Sequence, residues 1–234
     1  MLRKQAGFTL IEIAIVLVII GLLLGGVLKG QELITSARVR NLISQQDGIK
    51  AAYFGFLDRF RSLPGDYSLA SQNIANVLAA ANGNGNGQIT IIGVAGATID
   101  EHVAVWDHLS HAGFINGSYT YAPAPENPAT VPANPYVRYI QLINDNAYGT
   151  GPVGPPVPAT RHNIKTGNQV PSEILSEIDR KIDDGNPVGG VFQFSVYNGG
   201  AGGTAPTGGA VGQCYVGTTW TAPTVSNCGA ASLL

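Results

Sequence analysis

The chain has 234 residues and a net charge of −2, which allows one medium domain plus further segments and gives no basic footprint for nucleic acid. Only 12% of the residues are charged, against about a quarter in ordinary soluble domains, and 31 Gly with 14 Pro argue against a mostly helical enzyme. Much of the 44% apolar content sits near the N-terminus, so the remainder must build its core from modest material.

Met1 to Gly7 is short and basic, with Arg3 and Lys4. Phe8-Thr9-Leu10-Ile11-Glu12 follows, and Ile13 to Leu28 carries no charge. A run of about 20 apolar residues, rising about 1.5 Å each, can cross a bilayer core. The basic residues ahead of it predict a cytoplasmic leader and a translocated remainder. A secretory signal would have a shorter apolar core followed by a small-residue cleavage site. Nothing like Ala-x-Ala follows Leu28, and the small residue beside this run, Gly7, precedes it. Glu12 is anomalous, because a carboxylate inside a spanning segment is costly unless paired. Gly21, Gly25 and Gly26 suit either close helix packing or local loosening of the helix.

The helix is expected to continue. Leu33, Val39, Leu42, Ile43, Ile49, Tyr53, Phe56, Leu57 and Phe60 recur mostly at spacings of three and four, which predicts one buried face. Leu63-Pro64-Gly65-Asp66 ends it. The expected organisation is a leader at 1–7, a long helix at 8–62 with its transmembrane half at 8–28, and an exported globular head at 63–234. The fold class is α+β: a long N-terminal helix, half transmembrane and half amphipathic, packed on a small antiparallel sheet with short helices and long loops.

Within the head, Ser68–Ala81 is expected to be a short helix with Ser68 as its N-cap. The tract Asn82-Gly83-Asn84-Gly85-Asn86-Gly87-Gln88 then places oxygen side chains at alternate positions with glycine between them. It is similar to the start of a calcium loop, with Asn82, Asn84, Asn86 and Gln88 as ligands and Asp66 as a source of charge. Asp100 or Glu101 are other sources. The alternative is a solvated turn. Asp100–Ala112 reads as a helix carrying His102, His108 and His111. His108 and His111 share a face, which raises zinc, but no cysteine completes the set and His162 is distant in sequence, so surface histidines are expected. Strands are expected at Ser118–Tyr121, Val137–Ile143 and Val191–Tyr197, with loops at Ala122–Pro135 and Gly149–Thr160. A helix is expected over Pro171–Asp184, with Ile174, Ile178 and Ile182 on one stripe. Asp183 and Asp184 at its C-terminal end oppose the helix dipole, so backbone N–H groups, an Arg or a cation should offset them. Cys214 and Cys228 read as one disulfide in an exported head, or as two free thiols in a reducing compartment.

Gly7-Phe8-Thr9-Leu10-Ile11-Glu12 and the run behind it resemble the cleavage and methylation signature of type IV prepilins and type II secretion pseudopilins. The resemblance implies a precursor cut after Gly7 by a prepilin peptidase, which also methylates the new amine of Phe8. It implies that Glu12 pairs with the N-terminal amine of an adjacent pilin-like subunit during assembly. It further implies an inner-membrane protein with a periplasmic head, delivered by an assembly platform into a filament or to the cell surface. Major subunits of that family usually carry a proline just past the span. Val27-Leu28-Lys29-Gly30 has none, which implies a minor or divergent subunit. No enzyme motif is present, so the chain is expected not to be an enzyme and to need no cofactor beyond the calcium just considered. The alternatives are a membrane-anchored periplasmic enzyme built on the histidines, or a surface adhesin using Trp106, Trp220 and the tyrosines.

Overall fold

The computed structural model describes residues 9–94, 96–123, 125–150 and 156–234. The chain divides into two units, one ending at Arg38 and the other running from Val39 to Leu234. Helix α1, Leu10–Phe60, contributes to both. The first proline of the sequence is Pro64, so nothing interrupts the backbone ladder before it. The helix closes where Arg61 enters the left-handed region at φ 52° and its N–H returns to the carbonyl of Leu57 at 2.9 Å.

In the first unit, residues 9–29 are all exposed, and this stretch is long and apolar enough to cross a membrane. In the second unit, four strands form an antiparallel sheet in the order β1-β2-β6-β3. They are β1 Gln141–Asp145, β2 Arg161–Lys165, β3 Phe192–Phe194 and β6 Ala230–Leu233. A separate hairpin pairs β4 Tyr215–Val216 with β5 Thr219–Trp220. The short helices are α2 Ala70–Asn73, a 3-10 turn at Ala79–Ala81, α3 Glu101–His111 and α4 Ser172–Ile182. The fold is thus α+β, with a long helix and a small antiparallel sheet.

Two apolar clusters hold the second unit. Ile49, Tyr53 and Phe56 of α1 pack with Val103, Trp106 and Leu109 of α3 and with Leu142 and Ile164 of the sheet. Val39 and Leu42 of α1 pack with Ile174, Leu175 and Ile178 of α4 and with Phe192 and Phe194. The three-and-four spacing along α1 is therefore a core face from Val39 onward, whereas Leu33, expected on that face, is 63% exposed.

Several expected elements differ. The helix expected over Ser68–Ala81 shrinks to α2 and the 3-10 turn, because Ile74 is extended and Asn76 sits at φ 65°. Ser118–Tyr121 joins no sheet; the Tyr119 N–H bonds the Ser110 hydroxyl and the Thr120 N–H bonds the Ala129 carbonyl. The strand expected from Val137 begins only at Gln141, since Val137 lies at φ 60°. Val191–Tyr197 shortens to β3. Strands β2 and β6 have no counterpart in the sequence reading.

Candidate functional site

Thr9 and Glu12 close the N-terminus of α1 on each other. The Glu12 Oε2 accepts from the Thr9 N–H at 2.7 Å and from the Thr9 hydroxyl at 2.7 Å. The Glu12 N–H donates to Thr9 Oγ1 at 3.3 Å. This is a capping box, with Thr9 as N-cap and the acid three residues on. It uses otherwise unpartnered helix donors and sets the carboxylate at the positive end of the helix dipole. The sequence reading singled out Glu12 as an anomalous acid but not Thr9, although Thr-x-x-Glu before an apolar run is the signal for this pairing. Gly7 and Phe8 lie outside the described residues.

The Asn/Gly tract wraps around two buried acids. Asp66 is 2% exposed, and its carboxylate accepts from the N–H groups of Asn86 at 3.0 Å and Gly87 at 2.8 Å. Glu101 is fully buried and accepts from the N–H groups of Asn84 and Thr90 and from the Thr90 hydroxyl. Burial pushes the Glu101 carboxyl above the usual range, and the nearby Asp66 charge adds to this. The side-chain oxygens of Asn82, Asn84 and Asn86 accept from the backbone N–H groups of Ser71, Asn86 and Gln88. Of the two readings of this tract, these bonds favour the turn; Gln88 stands exposed beside it.

Two of the three α3 histidines are buried, contrary to expectation, while the His111 side chain is partly exposed. His108 is fully buried and His102 is 4% exposed. The Gly65 N–H donates to His108 Nδ1 at 2.9 Å, so Nε2 carries the proton and donates to the Ala81 carbonyl at 2.9 Å. Desolvation brings this ring down from 6.5 to about 4. His102 Nε2 meets the Glu126 carboxylate at 3.3 Å. That carboxylate is held below its ordinary range, chiefly by His102 and also by the Tyr197 hydroxyl. His111 Nδ1 turns to Asp107. The three rings thus take separate partners rather than converging. His162, on β2, accepts from the Ile89 N–H at 3.3 Å.

At the end of α4, Asp179, Asp183 and Asp184 bring carboxylate oxygens within 4.8 Å of one another. Backbone N–H groups meet all three. Asp183 accepts from Val191 and Phe192, Asp184 from Asn186, and Asp179 from Gly185. The dipole conflict expected there is offset by backbone donors. Asp179 also accepts from the Trp220 indole N–H at 2.7 Å. The hairpin that carries Trp220 lies within the loop closed by the Cys214–Cys228 disulfide, whose Cα atoms are 5.6 Å apart. Trp106 is fully buried and Trp220 is 7% exposed, so neither offers an open aromatic face.

Residues 2–28 match the family model described as the prokaryotic N-terminal methylation motif. No curated protein and no solved structure matches the chain. The matched segment holds Gly7, Phe8, Thr9 and Glu12 in register with the apolar run of α1. A prepilin-type methylation motif leading into a long, exposed apolar helix fits a type IV pilin-like protein.

Proposed function

We propose that the chain is the precursor of a pilin-like structural subunit, cut after Gly7 by a prepilin peptidase and methylated on Phe8. The transmembrane half, 8–28, holds it in the inner membrane with the head, 63–234, on the periplasmic side. The subunit then enters a type IV pilus-like filament or a secretion pseudopilus through an assembly platform, as a minor or divergent component. The observation that carries this reading is the methylation motif over residues 2–28, continuous with an apolar run that presents every side chain outward.

Assembly follows from charge. Leader removal exposes an amine on Phe8 at the membrane face. The Glu12 carboxylate of one subunit pairs with that amine on the next, which offsets the cost of either charge in lipid. Only one axial stagger between helices satisfies both groups, so the pair sets register. The disulfide braces the C-terminal loop of the head, whose role in this reading is structural. Supporting this over an anchored enzyme, His102 and His108 are buried and all three α3 histidines are committed to separate hydrogen bonds. Supporting it over an adhesin, both tryptophans are buried.

The test is mass spectrometry of the mature protein, which should lack Met1–Gly7 and carry one added methyl on Phe8. Gly7→Glu should leave uncut precursor in the membrane. Intact Met1 in assembled material overturns the proposal.

A further inference from the structure

The sequence contains five Asn-Gly pairs, three of them consecutive at 82–87 and the others at Asn116-Gly117 and Asn198-Gly199. Asn-Gly is the dipeptide most open to spontaneous deamidation, because glycine leaves the next backbone nitrogen unhindered. That nitrogen loses its proton to hydroxide and attacks the asparagine Cγ. A C–N bond forms to give a cyclic imide, the carboxamide C–N bond breaks, and ammonia leaves with a proton from solvent. Water then opens the imide at either carbonyl and leaves aspartate or isoaspartate. The reaction needs a free glycine N–H and a carboxamide able to turn toward it.

From sequence alone the 82–87 tract would be the most labile segment of the chain. The fold removes both requirements there. The Gly83 N–H donates to the Tyr67 carbonyl at 3.1 Å and the Gly85 N–H to the Asp66 carbonyl at 2.9 Å. The Gly87 N–H donates to the Asp66 carboxylate at 2.8 Å. The carboxamides are held too: Asn82 bonds Ser71 through both of its polar atoms, Asn84 bonds the Asn86 N–H and the Gly96 carbonyl, and Asn86 bonds the Gln88 N–H. At the fifth pair, Gly199 is buried, and the Asn198 carboxamide bonds the Gly200 N–H and the Gly203 carbonyl.

Asn116-Gly117 differs on every count. Both residues are exposed. Among the described residues nothing accepts from the Gly117 N–H, and nothing bonds the Asn116 carboxamide. We propose that Asn116 is the deamidation site of the folded protein, and that Asp66, Tyr67 and Ser71 protect the 82–87 tract from the same reaction. Asn116 borders a cleft of about 340 Å³ lined by Gln45, Trp106, Phe114 and Tyr119. Conversion therefore adds a negative charge to a wall otherwise built of neutral groups.

The experiment ages the full chain in detergent at mildly alkaline pH and follows each Asn-Gly peptide by mass spectrometry. A parallel sample is kept unfolded in urea. In the folded sample Asn116 should convert first. The 82–87 peptide should lag it by at least about tenfold, the factor that goes with about 1.4 kcal/mol of local opening. In urea the lag should disappear. Asp66→Ala removes the acceptor of the Gly87 N–H and should speed conversion at Asn86; circular dichroism reports whether that variant is folded. Conversion of 82–87 as fast as Asn116 in the folded sample overturns the proposal. So does an unchanged Asn116 in folded protein while the urea sample converts.

Discussion

The indole N–H of Trp220 donates to the buried Asp179 carboxylate at 2.7 Å and so fastens the C-terminal hairpin to α4. Asp179 is fully buried, and desolvation raises its carboxyl above the usual range. Trp220→Phe keeps a six-membered aromatic ring but removes the indole N–H, leaving a carboxylate oxygen without its donor. The expected loss is about 1–3 kcal/mol in urea unfolding of the head, the cost of an unsatisfied buried acceptor. Asp179→Asn removes the charge and one of the two acceptor oxygens, so the indole and Gly185 N–H groups must share the oxygen that remains, and it should also cost stability. A loss from Trp220→Phe with none from Asp179→Ala would show that the ring's packing, not this bond, does the fastening.

The disulfide is expected to act on the same hairpin from its other side. Cys228 is fully buried beside β6, and its backbone exchanges both N–H···O bonds with Val170. Cys228→Ser should lower head stability by about 2–4 kcal/mol, the usual range for one bridge. Non-reducing peptide maps of natively exported protein should show the 214–228 linkage. Two free thiols there would contradict it.

His108 makes the head acid-sensitive. Its folded value, about 4, lies below the ordinary 6.5 because the ring is buried and neutral. A base depressed in this way stabilises the fold fully above pH 6.5, and the contribution is lost as pH falls through about 4. The full difference is about 3 kcal/mol by linkage. The low Glu126 carboxyl acts in the same direction, and the raised Glu101 carboxyl opposes both. His108→Gln keeps a donor for the Ala81 carbonyl and cannot charge. Stability curves of wild type and variant should therefore converge between pH 6.5 and 4, and parallel curves would refute the assignment.

Much of α1 was legible in the sequence because its signals are local: an apolar run, a three-and-four stripe and a late first proline. Helix α4 was legible from its isoleucine stripe in the same way. The sheet was not. Strand β2, Arg-His-Asn-Ile-Lys, looks polar, and it is a strand because β1 and β6 flank it. Strand β6, Ala-Ala-Ser-Leu, has small side chains that fit between β2 and β3 and give little pattern of their own. His108 looked like a surface group because its partners, Gly65 and Ala81, are distant in sequence. The Asn/Gly tract was read for its side-chain oxygens, whereas its geometry depends on buried acids that accept its backbone N–H groups.

That geometry bears on calcium. The oxygens of Asn82, Asn84 and Asn86 are already engaged by amides, and Asp66 is closed over by the turn. Adding calcium or a chelator should leave the melting temperature of the head unchanged. A calcium-dependent rise that disappears in Asp66→Asn would restore these residues as a cation site.

Glu12 provides the test of assembly. In the single chain its carboxylate is held by the Thr9 N–H and hydroxyl, two neutral donors that lower the cost of carrying an acid in the apolar run. In the proposed filament the same carboxylate pairs with the Phe8 amine of the neighbour. Glu12→Ala removes both roles, and Glu12→Gln keeps a cap acceptor without the charge. Both variants should insert, since the run becomes no more polar, and both should be cut, since Gly7 and Phe8 are untouched. In both, the neighbour's amine would be buried without a counter-charge, so docking at the correct stagger should fail. Each should accumulate as processed membrane monomer in a strain lacking the wild-type copy, with few or no sheared filaments. Failure of Glu12→Ala with normal filaments from Glu12→Gln would assign the residue to capping its own helix. Normal filaments from both would remove Glu12 as the register device.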